Sequence, residues 1–317
     1  MPPTPSVPAM VPLPAALRDG AARTPEGAAW VARLPGLVAR AVDRWSLVPG
    51  EPFASGSASW CAPARDADRR DRVLKIAFPH DEARHEAAVL RAWAGRGAVA
   101  LLDADAGDWA LLLDRVRPGT PMRAVRSPVP RRLAAAADVL RDLHAAPVPG
   151  GVPALHEVTA AWGDLLEERA GRAARAGVPL DPGRLRAALD VLRAPAVARP
   201  VLLHGDLNPG NLLLGTDGWV AIDPKAAVGD PAADPWPLLE QVGAPRRTPD
   251  PVRTLRDRLR LVADRAALDP VAVAGWSLAR GTEVALWAWQ HGASPAATRR
   301  RLRDAGDWAC VRDGLAG

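Results

Sequence analysis

The sequence predicts an α+β fold with two lobes. Strand-like segments concentrate in the first part of the chain, with a single helical pattern among them. The rest of the chain is mainly helical in its periodicity, apart from one short hairpin. Strands followed by helices, rather than an alternation of the two, are typical of α+β proteins. We therefore predict a small N-terminal lobe over residues 1–116 and a larger C-terminal lobe over residues 117–317.

The N-terminal lobe is predicted to hold one or two helices and then a small antiparallel sheet. Residues 11–46 place apolar side chains at near-helical spacing, which indicates a helical segment with one buried face. Residues 50–60 form a loop rich in small side chains that joins two strands. An amphipathic helix is expected over 81–93. The remaining strands of the predicted sheet are residues 72–77, 99–103 and 109–114.

The C-terminal lobe is predicted to be helical around the short hairpin. Apolar runs at 201–203, 212–214 and 219–222 supply the strands of this region. The predicted helices are residues 128–144, 162–175, 184–192, 235–241, 251–266 and 271–290.

Composition excludes several classes of protein. No charge-free apolar run approaches the length of a membrane span, and the N-terminus lacks the basic start and apolar core of a signal peptide. Two widely separated cysteines, Cys61 and Cys310, predict neither a disulfide framework nor a cysteine metal site. The formal charge of +5 could suggest a nucleic-acid binder, but the arginines alternate with acids on predicted helix faces. We expect a cytoplasmic protein, monomeric or weakly dimeric, with no nucleic-acid or membrane partner.

One stretch of the C-terminal lobe carries the most specific chemistry. An apolar strand leads into the polar loop 204–211, a second strand leaves it, and a third ends in Asp223. Asp206 and Asn211 lie five residues apart, and Asp223 lies twelve residues beyond Asn211. In kinase-type phosphotransfer, one Asp accepts the proton of the substrate hydroxyl, an Asn binds a metal ion, and a second Asp bridges the metal to the phosphates. Tight turns between strands are the alternative, because Gly, Pro, Asn and Asp favour turns.

The use of lysine points to a second set of residues. Of 41 basic residues only Lys75 and Lys225 are lysine. Lys75 lies in a strand-like run, where a kinase places the lysine that pairs with the phosphates, and a planar guanidinium does not replace a compact ammonium there. Glu86 on the following helix is its predicted partner, with Glu82, one turn earlier, as the rival and a plain surface glutamate as the alternative.

The loop before this strand is a candidate for phosphate contacts. Gly56 allows close approach of the backbone, and Ser57 adds a hydroxyl donor. The loop lacks the G-x-G-x-x-G pattern, so a hairpin turn is the alternative.

These motifs resemble the aminoglycoside phosphotransferase family, whose members carry an H-G-D-x-x-x-x-N loop and a later I-D. Residues 221–234, AIDPKAAVGDPAAD, are similar to the I-D-P-x-x-x-V-G-D-P-x-x-D pattern of its streptomycin 6-phosphotransferase and hydroxyurea phosphotransferase branch. The resemblance also reaches residues 29–45 and covers most of the chain. It implies a two-lobed protein-kinase-like fold and an enzyme that transfers phosphate from ATP, with Mg²⁺, to a hydroxyl of an antibiotic.

The resemblance favours streptomycin as acceptor, phosphorylated at the 6-hydroxyl of its streptidine ring, with resistance by inactivation as the result. Hydroxyurea or another small hydroxylated compound is one alternative. A nucleotide-binding protein of kinase shape without turnover is another, and an arginine-rich nucleic-acid binder is the third.

The resemblance also suggests roles for individual residues. Asp206 is the expected catalytic base, and Asn211 and Asp223 are the expected Mg²⁺ ligands. The backbone from Asp114 to Val116 is the expected hinge that contacts adenine. A cationic acceptor needs acidic partners. The candidates are Asp230, Glu240 and Glu283.

Three further residues surround the predicted catalytic loop. His204 is expected to shape the loop rather than to titrate in catalysis, because Asp206 already supplies the base. Asp234 is expected to brace the loop through backbone hydrogen bonds. Lys225 is left with two roles open, a contact with the phosphates or with a neighbouring acid.

Overall fold

The computed structural model describes residues 11–54, 56 and 58–316 of the chain. The chain divides into two compact units, Met1–Gly119 and Thr120–Gly317. The first is built on an antiparallel sheet and the second is mainly helical, so the α+β prediction is confirmed. The lobe boundary predicted after residue 116 stays a prediction.

Within its described residues, the first unit combines four α-helices with a five-stranded sheet. Its helices are α1 (Ala15–Asp19), α2 (Pro25–Trp45), α3 (Asp81–Arg84) and α4 (Glu86–Trp93). Its strands are β1 (Val48–Pro49), β2 (Ser59–Arg65), β3 (Asp71–Ala77), β4 (Leu101–Asp105) and β5 (Ala110–Asp114). The sheet order is β1-β2-β3-β5-β4, and every neighbouring pair is antiparallel. Strand β3, which carries Lys75, therefore lies at the centre of the sheet.

Helix α2 anchors the core of the first unit. The Thr24 side chain accepts a hydrogen bond from the backbone N–H of Gly27 and so caps the start of the helix. One face of α2 buries Trp30 and Leu34, which join apolar side chains of β2 and β3 in a single cluster. Burial of this face fixes the helix against the sheet.

The helix predicted over residues 81–93 is wrong in one respect, because the segment forms two helices. His85 separates α3 from α4. The spacing of apolar side chains continues through the break, so periodicity alone does not reveal it. The break makes Glu86 the first residue of α4, where its side chain is buried.

The second unit holds seven helices among the described residues, with short strands between them. Its helices are α5 (Val129–His144), α6 (Leu155–Arg175), α7 (Pro182–Leu192), α8 (Trp236–Gln241), α9 (Pro251–Ala266), α10 (Pro270–Gln290) and α11 (Pro295–Ala316). The remaining strands of the chain are β6 (Pro118–Pro121), β7 (Val201–Leu203), β8 (Leu212–Gly215), β9 (Trp219–Ala221) and β10 (Ala227–Gly229). Strands β7 and β10 pair antiparallel, and β8 and β9 form an antiparallel hairpin in a sheet ordered β6-β8-β9.

Helix α11 is absent from the sequence prediction. Its N-terminal part is rich in arginine, which is typical of a solvated segment. However, Ala305, Trp308 and Ala309 recur at helical spacing and are buried. Helix α6 also begins earlier than predicted, at Leu155 rather than near residue 162.

Among the described helices, none combines the length and the apolar composition needed to cross a lipid bilayer.

Candidate active site

The polar loop 204–211 leaves β7 and is anchored at its start by Asp234. One oxygen of the Asp234 carboxylate accepts a hydrogen bond from the backbone N–H of His204 at 2.8 Å, and the other accepts from Gly205 N–H at 2.7 Å. Asp234 is only 3% exposed. Two backbone donors on one buried carboxylate fix the direction in which the loop leaves the strand. This is the bracing role expected for Asp234.

A second side chain, His144 at the end of α5, completes the anchor. Its Nε2 lies 3.0 Å from the Asp234 oxygen that also binds His204 N–H. Burial alone would raise the pKa of Asp234, but the hydrogen bonds from His144 and from Gly205 N–H contribute to lowering this pKa below its usual value. The carboxylate is therefore ionised at neutral pH and ties α5 to the loop.

His204 has the properties of a structural residue. It is fully buried, its Nε2 donates to the carbonyl oxygen of Ile222 at 3.0 Å, and its Nδ1 accepts from Asp206 N–H at 3.2 Å. Because a carbonyl only accepts, Nε2 carries the proton. Burial lowers the pKa of His204. A neutral imidazole with both nitrogens hydrogen-bonded shapes the loop and does not act as the base.

Gly205 is required by the way the loop turns. Its φ is +78°, in the left-handed region that glycine adopts without strain. A Cβ atom at this position would overlap the carbonyl oxygen of Lys225. The same backbone approach lets Lys225 N–H donate to the carbonyl of His204 at 2.8 Å.

Asp206 lies at the centre of the loop and is partly exposed. Its Oδ1 accepts from Asn208 Nδ2 at 3.0 Å, while its Oδ2 lies 3.8 Å from Lys225 Nζ. The Asn211 amide donates to the Asp206 backbone carbonyl at 2.9 Å and to Oδ2 at 3.4 Å. The side chain is 29% exposed. The carboxylate is thus oriented by three neighbours and still reachable by a substrate hydroxyl, as a general base must be.

One of these neighbours, Asn208, was not predicted as part of the site. Asn208 orders the loop, because its Oδ1 also accepts from the N–H groups of Gly210 and Asn211 at 2.7 and 3.3 Å. Because an asparagine that begins an Asn-Pro-Gly turn commonly accepts hydrogen bonds from the following backbone N–H groups, the sequence contains a pattern from which this role could be predicted. Lys225 was left with two roles open, and its Nζ lies 3.8 Å from the acid Asp206, while a contact with the phosphates stays a prediction.

The predicted metal ligands flank two paired strands. Asn211 precedes β8 and Asp223 follows β9, and the N–H of Ile222 donates to the Asn211 carbonyl at 2.9 Å. Asp223 has a φ of +58°, a left-handed conformation in which Asp is enriched. The Asn211 amide nitrogen is directed at Asp206, and a metal role for its oxygen stays a prediction.

These two side chains fit a magnesium ion. Amide and carboxylate oxygens are hard donors, and Mg²⁺ is usually held by one or two carboxylates together with substrate phosphates. Among the described residues, His, Cys, Asp and Glu form no group of three or more arranged to hold a metal. The donor set therefore suits an ion that arrives with a phosphorylated substrate.

In the first unit, Lys75 and Glu86 form a buried ion pair. Lys75 Nζ lies 2.7 and 2.8 Å from the two oxygens of Glu86, and the residues are 6% and 4% exposed. The rival, Glu82, is exposed on α3. Charges buried to this degree are destabilising unless they are paired, so the pair holds the ammonium in one position beneath the sheet surface.

The remaining nucleotide candidates are only partly described. Gly56 has a φ of +116°, which favours glycine, whereas Ser57 lies outside the described residues. At the predicted hinge, the backbone N–H of Asp114 donates to the carbonyl oxygen of Ala100. The Asp114 carboxylate accepts from the Arg72 guanidinium at 2.7 Å. A contact of the backbone from Asp114 to Val116 with adenine stays a prediction.

Comparison with known proteins decides the family. The model of the aminoglycoside/hydroxyurea antibiotic resistance kinase family matches residues 44–292. The chain belongs to this family. It is accordingly a phosphotransferase that acts on a hydroxyl group, as the motifs predicted.

Relatives within this kinase family align over most of their length. The chain is 36% identical over 274 residues to a streptomycin 6-kinase of Streptomyces griseus, covering 84% of this chain and 87% of the relative. It is 34% identical over 268 residues to a hydroxyurea phosphotransferase of Kitasatospora aureofaciens, covering 84% and 76%.

Solved structures of other phosphotransferases share the fold of this kinase. A macrolide 2'-phosphotransferase from Brachybacterium faecium superposes with a TM-score of 0.55 at 21% identity, over 86% of this chain and 97% of that one. An aminoglycoside phosphotransferase solved with AMP-PNP and hygromycin B gives a TM-score of 0.56 at 16% identity, over 88% and 98%. The predicted protein-kinase-like fold is thereby confirmed.

The acids predicted to bind the acceptor of this kinase all have structural partners. Glu283 pairs with Arg169 at 3.0 Å and with Arg280 at 3.4 Å. Glu240 pairs with Arg246 and accepts from Trp308 Nε1 at 2.6 Å. These arginines offset the negative charge that a cationic acceptor would need.

Asp230 is engaged as well, but by neutral donors. It accepts from Ala232 N–H at 2.9 Å and from Trp276 Nε1 at 2.8 Å. Its negative charge is therefore not offset by these two contacts. A role in acceptor binding stays a prediction for all three acids.

Proposed function

We propose that this kinase uses ATP and Mg²⁺ to phosphorylate streptomycin, at the 6-hydroxyl of the streptidine ring, and so inactivates the antibiotic. The substrate assignment is supported by the streptomycin 6-kinase of Streptomyces griseus, which aligns at 36% identity over 84% of the chain. The observation that carries the chemistry is the orientation of Asp206 by Asn208, Asn211 and Lys225.

In the proposed reaction Asp206 acts on the acceptor hydroxyl. As the hydroxyl oxygen bonds to the γ-phosphorus, the bond from that phosphorus to the oxygen of the departing ADP breaks, and the hydroxyl proton passes to the Asp206 carboxylate. Lys225 Nζ lies 3.8 Å from this carboxylate, on the Oδ2 side. Asn208 and Asn211, whose amides donate to Oδ1 and Oδ2, keep the carboxylate in one orientation, which favours reaction by positioning.

Binding of Mg-ATP is assigned to two further sets of residues. Asn211 and Asp223 supply oxygen ligands, and the bound ion would offset the negative charge of the phosphates. Lys75, oriented by Glu86, is assigned to the phosphates. Use of ATP is further supported by the related phosphotransferase solved with AMP-PNP.

Hydroxyurea is a second candidate acceptor. It is favoured by the hydroxyurea phosphotransferase of Kitasatospora aureofaciens, which is 34% identical over 84% of this chain. Hydroxyurea is small and neutral, so it does not require the acidic surroundings that suit a cationic sugar.

A direct turnover assay separates the two candidates. Purified protein is incubated with Mg-ATP and either streptomycin or hydroxyurea, and ADP release and product mass are both measured. We expect streptomycin to gain the mass of one phosphoryl group at a rate stoichiometric with ADP release. Product formed only from hydroxyurea would move the assignment to that acceptor, and ADP release with neither would overturn both.

A further inference from the structure

A cavity in the second unit lies between the start of α7, the middle of α10 and the N-terminal half of α11. It has a volume of about 380 Å³, which is enough to enclose a small organic ligand. Each of the three helices and the segment before α7 contribute one apolar side chain to its lining, and these are Leu185, Leu278, Leu302 and Leu180. The residues assigned above to phosphotransfer do not line it.

The length of α6 separates this cavity from the catalytic strands. Ala154 forms an isolated bridge with Val228 of β10, and α6 begins at the next residue. The 21 residues of α6 then extend about 30 Å before the connection to α7. Pro179 and Leu180, which line the cavity, belong to that connection. The cavity therefore lies at the far end of α6 from the bridge to β10.

Arginine dominates the charge of the lining. Arg184 of α7 and Arg299 and Arg303 of α11 line the cavity, against a single carboxylate, that of Asp181. Asp181 lies 3.5 Å from Arg184 and also caps α7. Within the described part of the chain, neither Arg299 nor Arg303 forms an ion pair with a carboxylate. Three arginines and one aspartate give the lining a formal charge of +2.

One face of α11 carries two of these arginines. Arg299, Leu302, Arg303 and Gly306 follow the i, i+3, i+4, i+7 spacing of a single helix face, and all four line the cavity. Like charges four residues apart destabilise a helix. An anion bound in the cavity would offset this repulsion.

Gly306 makes room for the third arginine. A Cβ atom at this position would overlap Nη1 and Cζ of Arg184. Glycine is unfavourable in the interior of a helix, but here it lets the Arg184 guanidinium pack against α11. Each guanidinium presents a planar fork of N–H donors, so three of them around one cavity suit an anion with several acceptor oxygens.

We propose that this cavity binds a small phosphate monoester whose organic group is apolar, at a site separate from the catalytic loop. A phosphate monoester carries close to two negative charges at neutral pH, which matches the formal charge of the lining. The leucines of the lining contact its organic group. A positive lining disfavours a cationic acceptor, and the proposal does not depend on which antibiotic the kinase phosphorylates.

The test uses phenyl phosphate as the probe, and binding to the full chain is measured by calorimetry. Phenol is the matched neutral control, and inorganic phosphate is the control without an apolar group. We expect phenyl phosphate to bind and each control to bind roughly tenfold more weakly, because phenol lacks the charge and inorganic phosphate lacks the buried ring.

Competition tests whether the site is separate. Saturating ADP, Mg²⁺ and streptomycin should leave the affinity for phenyl phosphate within about twofold, since distant sites act independently. This measurement involves no turnover, so a failure of the proposed function does not mimic a failure here.

Substitutions on α11 locate the probe. Arg299→Gln combined with Arg303→Gln should weaken the binding of phenyl phosphate about tenfold, since exposed charge pairs contribute up to roughly fivefold each. Arg300→Gln combined with Arg301→Gln is the matched control, because both arginines are exposed on the same helix and neither lines the cavity. This control removes the same charge and should retain the wild-type affinity.

Gly306→Ala gives an independent measurement. The added Cβ displaces the Arg184 guanidinium while alanine favours the helix, so phenyl phosphate should bind about fivefold more weakly without a loss of melting temperature. Gly171→Ala on α6 is the control, because a Cβ there lies at an ordinary contact distance of 3.6 Å from Nη1 of Arg175. Equal affinity for either control compound, wild-type affinity in either cavity variant, or displacement of phenyl phosphate by ADP with Mg²⁺ would each overturn the proposal.

Discussion

Replacing Asp234 with asparagine tests the anchor of the catalytic loop. The carboxylate accepts from His204 N–H at 2.8 Å, from Gly205 N–H at 2.7 Å and from His144 Nε2 at 3.0 Å. Asparagine keeps one acceptor oxygen, so at least one buried N–H would face an amide NH₂ instead. Hydrogen bonds to a charged group contribute about 1.5–3 kcal/mol each, and the loss of charge weakens those that remain. We expect a loss of about 2–4 kcal/mol in the free energy of unfolding.

The same change should also reduce turnover, because the anchored loop carries Asp206. Misplacement of a reacting group by about 1 Å can cost on the order of 100-fold in rate. Urea unfolding gives the stability, and steady-state kinetics give kcat, with Asp142→Asn on the exposed face of α5 as the control. A variant within about 0.5 kcal/mol and threefold in kcat of the wild type, the range of neutral surface substitutions, would refute the anchoring role.

Three further predictions concern the nucleotide, the metal and pH. Lys75→Ala should remove the increase in melting temperature that Mg-ATP produces. It should also lower the free energy of unfolding by about 3–5 kcal/mol, because Glu86 stays buried without Lys75. If Mg-ATP raised the melting temperature of the variant as much as that of the wild type, Lys75 would not be a phosphate ligand. Asp223→Ala should abolish Mg²⁺-dependent phosphotransfer with a native circular dichroism spectrum, and retained activity would contradict the metal role. Burial lowers the pKa of His204, so the unfolded state binds a proton near pH 6.5 and the folded state does not. The contribution of His204 to the free energy of unfolding is therefore complete above pH 6.5 and falls at lower pH, by up to about 1.4 kcal/mol per pH unit. In urea titrations, the free energy of unfolding of His204→Gln should depend less steeply on pH than that of the wild type. Parallel curves for the two proteins would contradict this prediction.

The central chemistry was readable from the sequence because its residues are close together in the chain. Asp206, Asn211 and Asp223 lie on one loop and one hairpin, so local spacing predicts their grouping. The Lys75 and Glu86 pair was also predictable, since a strand followed directly by a helix brings the two side chains together.

Contacts between residues far apart in the chain could not be predicted from local spacing. His144 reaches Asp234 across 90 residues, and nothing in local periodicity relates α5 to the catalytic loop. Arg169 on α6 reaches Glu283 across 114 residues, so local sequence does not show that this predicted acceptor ligand is already paired. Helix α11 was missed because its arginine content conceals a buried stripe that only the packed unit reveals.

The most direct test of the account is the turnover of Asp206→Asn with Mg-ATP and streptomycin. Asparagine keeps the size of the side chain but cannot accept the proton, so kcat should fall by about 10²–10⁴-fold while the affinity for ATP stays within about twofold. The control is Asp217→Asn. Asp217 is an exposed acid in the turn between β8 and β9, and this variant should retain the wild-type kcat. The measurement is made under single-turnover conditions, with the phosphorylated product identified by mass. An Asp206→Asn enzyme within about threefold of the wild-type rate would contradict the assignment of Asp206 as the base.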